Sequence, residues 1–161
     1  MKKLFKFLIV FAVLYIPYYF YTRTNFEFDE AIHYSITDEK SEKVDTINSI
    51  YEVIYEDYPY EMKDLGFVHN LEGNGFIKKP IPADDHSELR TILRSQFGMG
   101  FLFSKKCLPI YRDIIIFNKD DKVSGIAKIC FGCGQHQFIG NSLDDSNFYN
   151  YDGLEELLYS K

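Results

Sequence analysis

The chain of 161 residues is 46% apolar and 26% charged, the proportions of an ordinary globular protein with room for one domain and its own core. Its net charge of −6 understates the acidity of that domain. Setting aside the leader lysines Lys2, Lys3 and Lys6 leaves 15 basic against 24 acidic residues, a net of −9. A phosphate backbone is repelled by such a surface. The dense basic spots, Lys78-Lys79 and Lys105-Lys106, are too short to reverse this and read as solvated loop charges, so no nucleic-acid partner is expected.

Residues 1–23 read as a membrane-targeting segment. Met1-Lys2-Lys3 is a positive start, and from Leu4 to Tyr21 every residue except Lys6 is apolar, aromatic or Pro. A helix over residues 4–21 spans about 27 Å, enough for the hydrocarbon core. Tyr15, Tyr18, Tyr19 and Tyr21 suit the outer interface. Three fates compete: an uncleaved anchor, a cleaved signal that releases a secreted or periplasmic domain, and a buried soluble helix. A cleavage site needs small residues, and Ala12 is the only one in the run. A lipoprotein needs an early Cys, and the first is Cys107. The anchor is therefore favoured. The leading lysines place the N-terminus in the cytoplasm and residues 24–161 outside, as a single extracytoplasmic domain on a single-pass protein of the cytoplasmic membrane.

Asn25 to Ile36 alternates with period two, which predicts a half-buried strand. Phe26, Phe28, Ile32, Tyr34 and Ile36 share its apolar face, and His33 falls on the exposed one. Asp38 offers a cap for the next element. Val44, Ile47, Ile50, Tyr51, Ile54, Tyr55 and Tyr58 recur at helical spacing, which predicts an amphipathic helix over about 39–57, stopped by Pro59. Residues 60–83 are irregular, with a short strand suggested at Gly66-Phe67-Val68 and a turn at Asn74-Gly75. A second helix opens at Asp84 or Asp85, where Asp85 and Glu88 resemble a capping box. Leu89, Ile92, Leu93 and Phe97 form its stripe, Gly98 ends it, and His86 is expected to be exposed. Tyr111–Phe117 and Val123–Ile129, joined by the polar stretch 118–122, form a hairpin. A last helix near Asp152–Tyr159 presents Leu154, Leu157 and Leu158. The order predicts an α+β fold, a small antiparallel sheet with helices packed on one face, preceded by the transmembrane helix.

All three cysteines flank the hairpin. A turn within 118–122 sets Cys107 opposite about residue 133 and Cys130 opposite about residue 110, so Cys107 and Cys133 meet at its open end. The run Cys107-Leu-Pro109, then Ile129-Cys130-Phe131-Gly132-Cys133, resembles a loose group of uncharacterised small bacterial envelope proteins with a Cys-x-Pro…Ile-Cys-Phe-x-Cys hairpin. The resemblance covers about residues 105–137 and implies no activity. Four readings of the cluster stay open. The first is a Cys107–Cys133 disulfide, which an extracytoplasmic address permits. The second is a Zn²⁺ site of Cys107, Cys130, Cys133 and His136, three thiolates and an imidazole completing a tetrahedron. The third is a redox dithiol at Cys130 and Cys133. The last is inert buried thiols.

No phosphate loop, His-Glu-x-x-His or Gly-x-Ser-x-Gly is present. Without a catalytic signature, the expectation is a membrane-tethered, non-enzymatic envelope domain making contacts with an unknown protein partner and holding no cofactor. The alternative is a zinc-binding or thiol-redox protein built on the cysteine cluster.

Overall fold

The computed structural model describes residues 26–93, 107–140, 148 and 150–160. Residues 1–23, with the expected membrane anchor, lie outside these, as do Phe97 and Gly98 at the expected end of the second helix. No helix among the described residues is long and apolar enough to cross a membrane.

The fold is α+β, built on five antiparallel strands: β1 (Glu30–Ser35), β2 (Ile77–Ile81), β3 (Asp113–Lys119), β4 (Lys122–Cys130) and β5 (Gln135–Gly140). Their order is β2-β1-β3-β4-β5. The helices are α1 (Asp38–Ser41), α2 (Ser49–Tyr55), α3 (His86–Leu93) and α4 (Tyr151–Tyr159).

The β3–β4 hairpin forms where the sequence predicts it. Asp120 and Asp121 both take left-handed φ values, 50° and 58°. That is the requirement of a two-residue turn matching the twist of its strands. A register shift between Phe117 and Asn118 then bends the ladder. At the far side of the sheet Gly125 pairs with Gly140. A Cβ on Gly140 would stand 2.6 Å from the Gly125 Cα, so this crossing of β4 and β5 admits glycine alone.

Helices cover both faces of the sheet, not one. On the first face α3 and α4 pack through Leu89, Ile92, Leu154 and Leu157 onto Ala31, Ile115, Phe117 and Ile129. On the second face α2 and a 3₁₀ segment at Leu65–Asn70 pack through Ile50, Val53, Ile54 and Phe67 onto Ile32, Tyr34, Ile114, Ile116 and Ile126. Ile114-Ile115-Ile116 is fully apolar because successive residues point into opposite cores.

Several local expectations change for identifiable reasons. Strand β1 starts only at Glu30, and the three-residue step from Phe28 to Ala31 reverses the phase. Phe26, Phe28 and Ala31 therefore belong to the first core, and Ile32, Tyr34 and Ile36 to the second. The long helix over 39–57 is two short ones. Asp45 Oδ1 accepts the Ile47 N–H and Asn48 Oδ1 the Ile50 N–H, bonds that compete with a continuous helix and start α2 afresh. Ile47 is left 91% exposed. Asp38 is the first residue of α1, behind Thr37 at the cap position. Gly66-Phe67-Val68 is 3₁₀ helix rather than strand, and the strand of this region is Ile77–Ile81. The expected capping box at Asp85 is replaced by a 3₁₀ turn, Ala83–Asp85, that runs into α3.

Both histidines expected at the surface are buried. His86 Nε2 donates to the Ile81 carbonyl at 3.1 Å, and its ring packs 5.0 Å from that of Phe28. His33 takes part in the cluster described next.

Candidate binding groove and the stapled hairpin end

Strand register lines up the groove floor. Ser35 pairs with Ile77 on one side and with Asp113 on the other, so Ile77, Ser35 and Asp113 form a cross-strand row on the first face. One step further in, His33 pairs with Lys79 and Ile115. His33 and Asp113 are thus diagonal neighbours on adjacent strands, within reach of long side chains.

His33 Nε2 donates to Asp113 Oδ1 at 2.8 Å, and the Tyr159 hydroxyl donates to the same oxygen at 2.5 Å. Tyr159 arrives from the last turn of α4. Helix α4 is fixed by Asn150, whose side chain accepts the Gly153 N–H, and by its buried Leu154, Leu157 and Leu158. Burial pushes the Tyr159 phenol above its ordinary range, and the Asp113 carboxylate adds to this, so Tyr159 stays a donor. The Asp113 side chain is 9% exposed. Both donors converge on Oδ1, so Oδ2 takes neither.

Asp113 lines an open groove of about 660 Å³. Its walls include Ile77 and Tyr159, which are 56% and 54% exposed. Phe131 and Gly132 of the β4–β5 turn close one side, with Phe131 centred 6.4 Å from the Tyr159 ring. Arg112, Asp38 and Glu155 stand around it, and Arg112 is paired with Asp38.

The cysteines hold that turn. Cys107 and Cys133 lie at disulfide distance, with Cα atoms 6.2 Å apart. They are the pair that the hairpin register brings together. Gln135 Nε2 adds a bond to the Cys107 carbonyl at 3.2 Å. Cys130 is buried and unbonded, its sulfur accepting the Ile110 N–H at 3.4 Å, which also agrees with the register. His136 pairs with Ile129 on the first face. There it lies 2.6 Å from the Tyr151 hydroxyl and packs against Phe138 and Phe148. Cys130, one residue along from Ile129, points to the other face. The four residues weighed as zinc ligands are therefore not brought together. Among the described residues no group of three His, Cys, Asp or Glu could hold a metal ion.

The second face carries a different polar group. Lys128 is fully buried, and its ammonium donates to the carbonyls of Glu56 and Tyr58 at 2.7 and 2.6 Å. It also lies 4.2 Å from the centre of the Tyr111 ring. Its register partner Gln137 donates to the carbonyls of Asp57 and Pro59. Together they fasten the segment after α2 to the sheet. Burial pulls Lys128 down to about 7, against Asp57 and Glu56, which push it up.

His33, Asp113, Tyr159 and Lys128 were not singled out by sequence reasoning as site or core residues. Asp113 and Lys128 did carry a signal, each being a charge inside an apolar strand run. Comparison with family models, curated proteins and solved structures finds no match to this chain.

Proposed function

We propose that this chain is a membrane-tethered, extracytoplasmic domain that makes protein contacts through the groove at Asp113. The tether is the apolar run 4–21, and the lysines before it put the domain outside the cytoplasmic membrane. The observation that carries the docking role is the groove itself. It exposes the aliphatic and aromatic side chains of Ile77 and Tyr159 above a polar floor fixed by two hydrogen bonds to Asp113. Apolar walls around a few fixed polar groups favour specific recognition. The Cys107–Cys133 pair serves this reading as a staple that holds the Phe131–Gly132 wall, in keeping with an oxidising compartment. The zinc alternative has less support, because Cys130 and His136 lie on opposite faces of the sheet, and the thiol-redox alternative has less because Cys133 lies at disulfide distance from Cys107 while Cys130 is buried apart.

The test is photo-crosslinking in membranes of the producing cell, with a photoreactive residue at Ile77 or, as a control, at Ile47 on the other side of the sheet. Discrete protein adducts from position 77 that are absent from position 47 are expected. Equal labelling from both positions, or none from position 77, contradicts the docking role. Protease added outside sealed cells should degrade the domain, and protection of the domain contradicts the topology.

A further inference from the structure

We propose that the groove takes the cationic side chain of an extended partner segment, a Lys or Arg, with Asp113 Oδ2 as its acceptor. This rests on the reading of the groove as a protein-docking site and names the chemistry of the occupant.

Charge is the first reason. The groove brings together the carboxylates of Asp38, Asp113 and Glu155 and one guanidinium, Arg112. That guanidinium is paired with Asp38, so the groove keeps an excess of carboxylates. No Lys or Arg pairs with Asp113 or Glu155 among the described residues, Asp113 having only the His33 ring beside it, and the acidic excess of the chain beyond its leader lysines, a net of −9, draws basic partners toward them.

The state of Asp113 is the second, independent reason. Its side chain is nine-tenths buried, and two donors, His33 and Tyr159, are both spent on Oδ1. A carboxylate has about four acceptor positions. Oδ2 accepts neither of these bonds, yet its residue lines the groove. An oxygen that is open to the groove, on a carboxylate fixed through its other oxygen, favours an incoming donor, and charge-assisted bonds are the strong ones. His33 and Tyr159 prevent Asp113 from turning Oδ2 away.

The walls suit the rest of such a side chain. Tyr159 and Phe131 present ring surface, which attracts an ammonium or guanidinium. Ile77 offers aliphatic surface to the methylene stem. An anionic occupant would meet Asp113 and Glu155 head-on. A neutral aliphatic one would leave Oδ2 without a donor.

The test uses the full chain in detergent micelles and short Ala-based fluorescent peptides that differ only at one central position, Lys, Arg, norleucine or Glu. Fluorescence anisotropy reads their binding. The Lys and Arg peptides should bind about tenfold or more tighter than the norleucine peptide, and the Glu peptide should not bind. Asp113→Asn should abolish the preference for Lys over norleucine. Glu155→Gln, at an exposed position that cannot unfold the core, should reduce it by about threefold. Glu155→Gln therefore decides the matter even if Asp113→Asn fails to fold. Equal binding of the Lys and norleucine peptides, untouched by Glu155→Gln, overturns the cation assignment. If crosslinks from Ile77 persist in that case, the docking role survives. Binding of none of the peptides also overturns the assignment, and loss of the Ile77 crosslinks as well removes the docking role with it. A polyamine such as spermidine binding as tightly as the Lys peptide overturns the peptide as occupant.

Discussion

The two faces of the sheet each bury a charged strand residue, and they treat it in opposite ways. On the α2 face, Lys128 is sealed, its ammonium divided between two backbone carbonyls and an aromatic ring. On the α4 face, Asp113 is held just as firmly, but both of its donors use one oxygen and the residue still borders an open groove. A polar group satisfied from within stabilises the fold. One fixed in place with capacity left over is available to a partner. The difference lies in what covers each strand end, a backbone segment over Lys128 and the last turn of α4 over Asp113.

The comparison can be broken most strongly from the core of the α4 face. Phe117 packs edge-on to Phe26, with centroids 4.7 Å apart, and beside Phe28 at 5.0 Å. Phe117→Ala should cost about 3–5 kcal/mol in urea unfolding and take the groove with it. Next comes the staple. Cys107→Ser and Cys133→Ser should destabilise alike, by about 2–4 kcal/mol. A large cost for Cys130→Ser with a silent Cys133→Ser contradicts the pairing. The sealed face is probed by Lys128→Met, which strips two carbonyls of their donor and should cost about 2–3 kcal/mol without altering peptide binding.

That face also has a pH signature. The native Lys128 sits at about 7, below its ordinary value of 10.5. Between these values the unfolded chain holds a proton that the folded one has released, so stability rises with pH. The slope is at most about 1.4 kcal/mol per pH unit. Urea midpoints taken upward from pH 7 should show this rise in the native chain and not in Lys128→Met. A fall contradicts the burial of a lysine there. The smallest effect compares the helix caps. Asn48 starts α2 on one face and Asn150 starts α4 on the other, each accepting a backbone N–H. Either changed to Ala should cost about 1 kcal/mol. Only Asn150→Ala should weaken the groove, because α4 carries Tyr159.

How far these features were legible follows from the distance over which each is determined. The β3–β4 hairpin and the meeting of Cys107 with Cys133 depend on one turn and a short ladder, so spacing alone reveals them. The α3 and α4 stripes are local too. Strand β5 is not, because Gln135-His136-Gln137 has no apolar alternation and pairs only once β4 is in place. The same holds for β2, where Lys78, Lys79 and Pro80 disguise an edge strand. His33 alternates with apolar residues like a surface group, and only Asp113, 80 positions later, explains its burial. Lys128 likewise alternates with apolar residues, and its burial is explained only by the carbonyls of Glu56 and Tyr58, some 70 positions earlier. The continuous Ile114–Ile116 run did hold the clue that both faces are covered.

The contrast between a sealed and an open charge is tested most directly by NMR on the full chain in micelles. The ¹³C signals of the Asp113 carboxyl and the Lys128 Cε would be followed as the Lys-centred peptide is added. The Asp113 carboxyl should shift in proportion to bound peptide while Lys128 Cε stays fixed. A moving Lys128 signal beside an unmoved Asp113 would contradict the account.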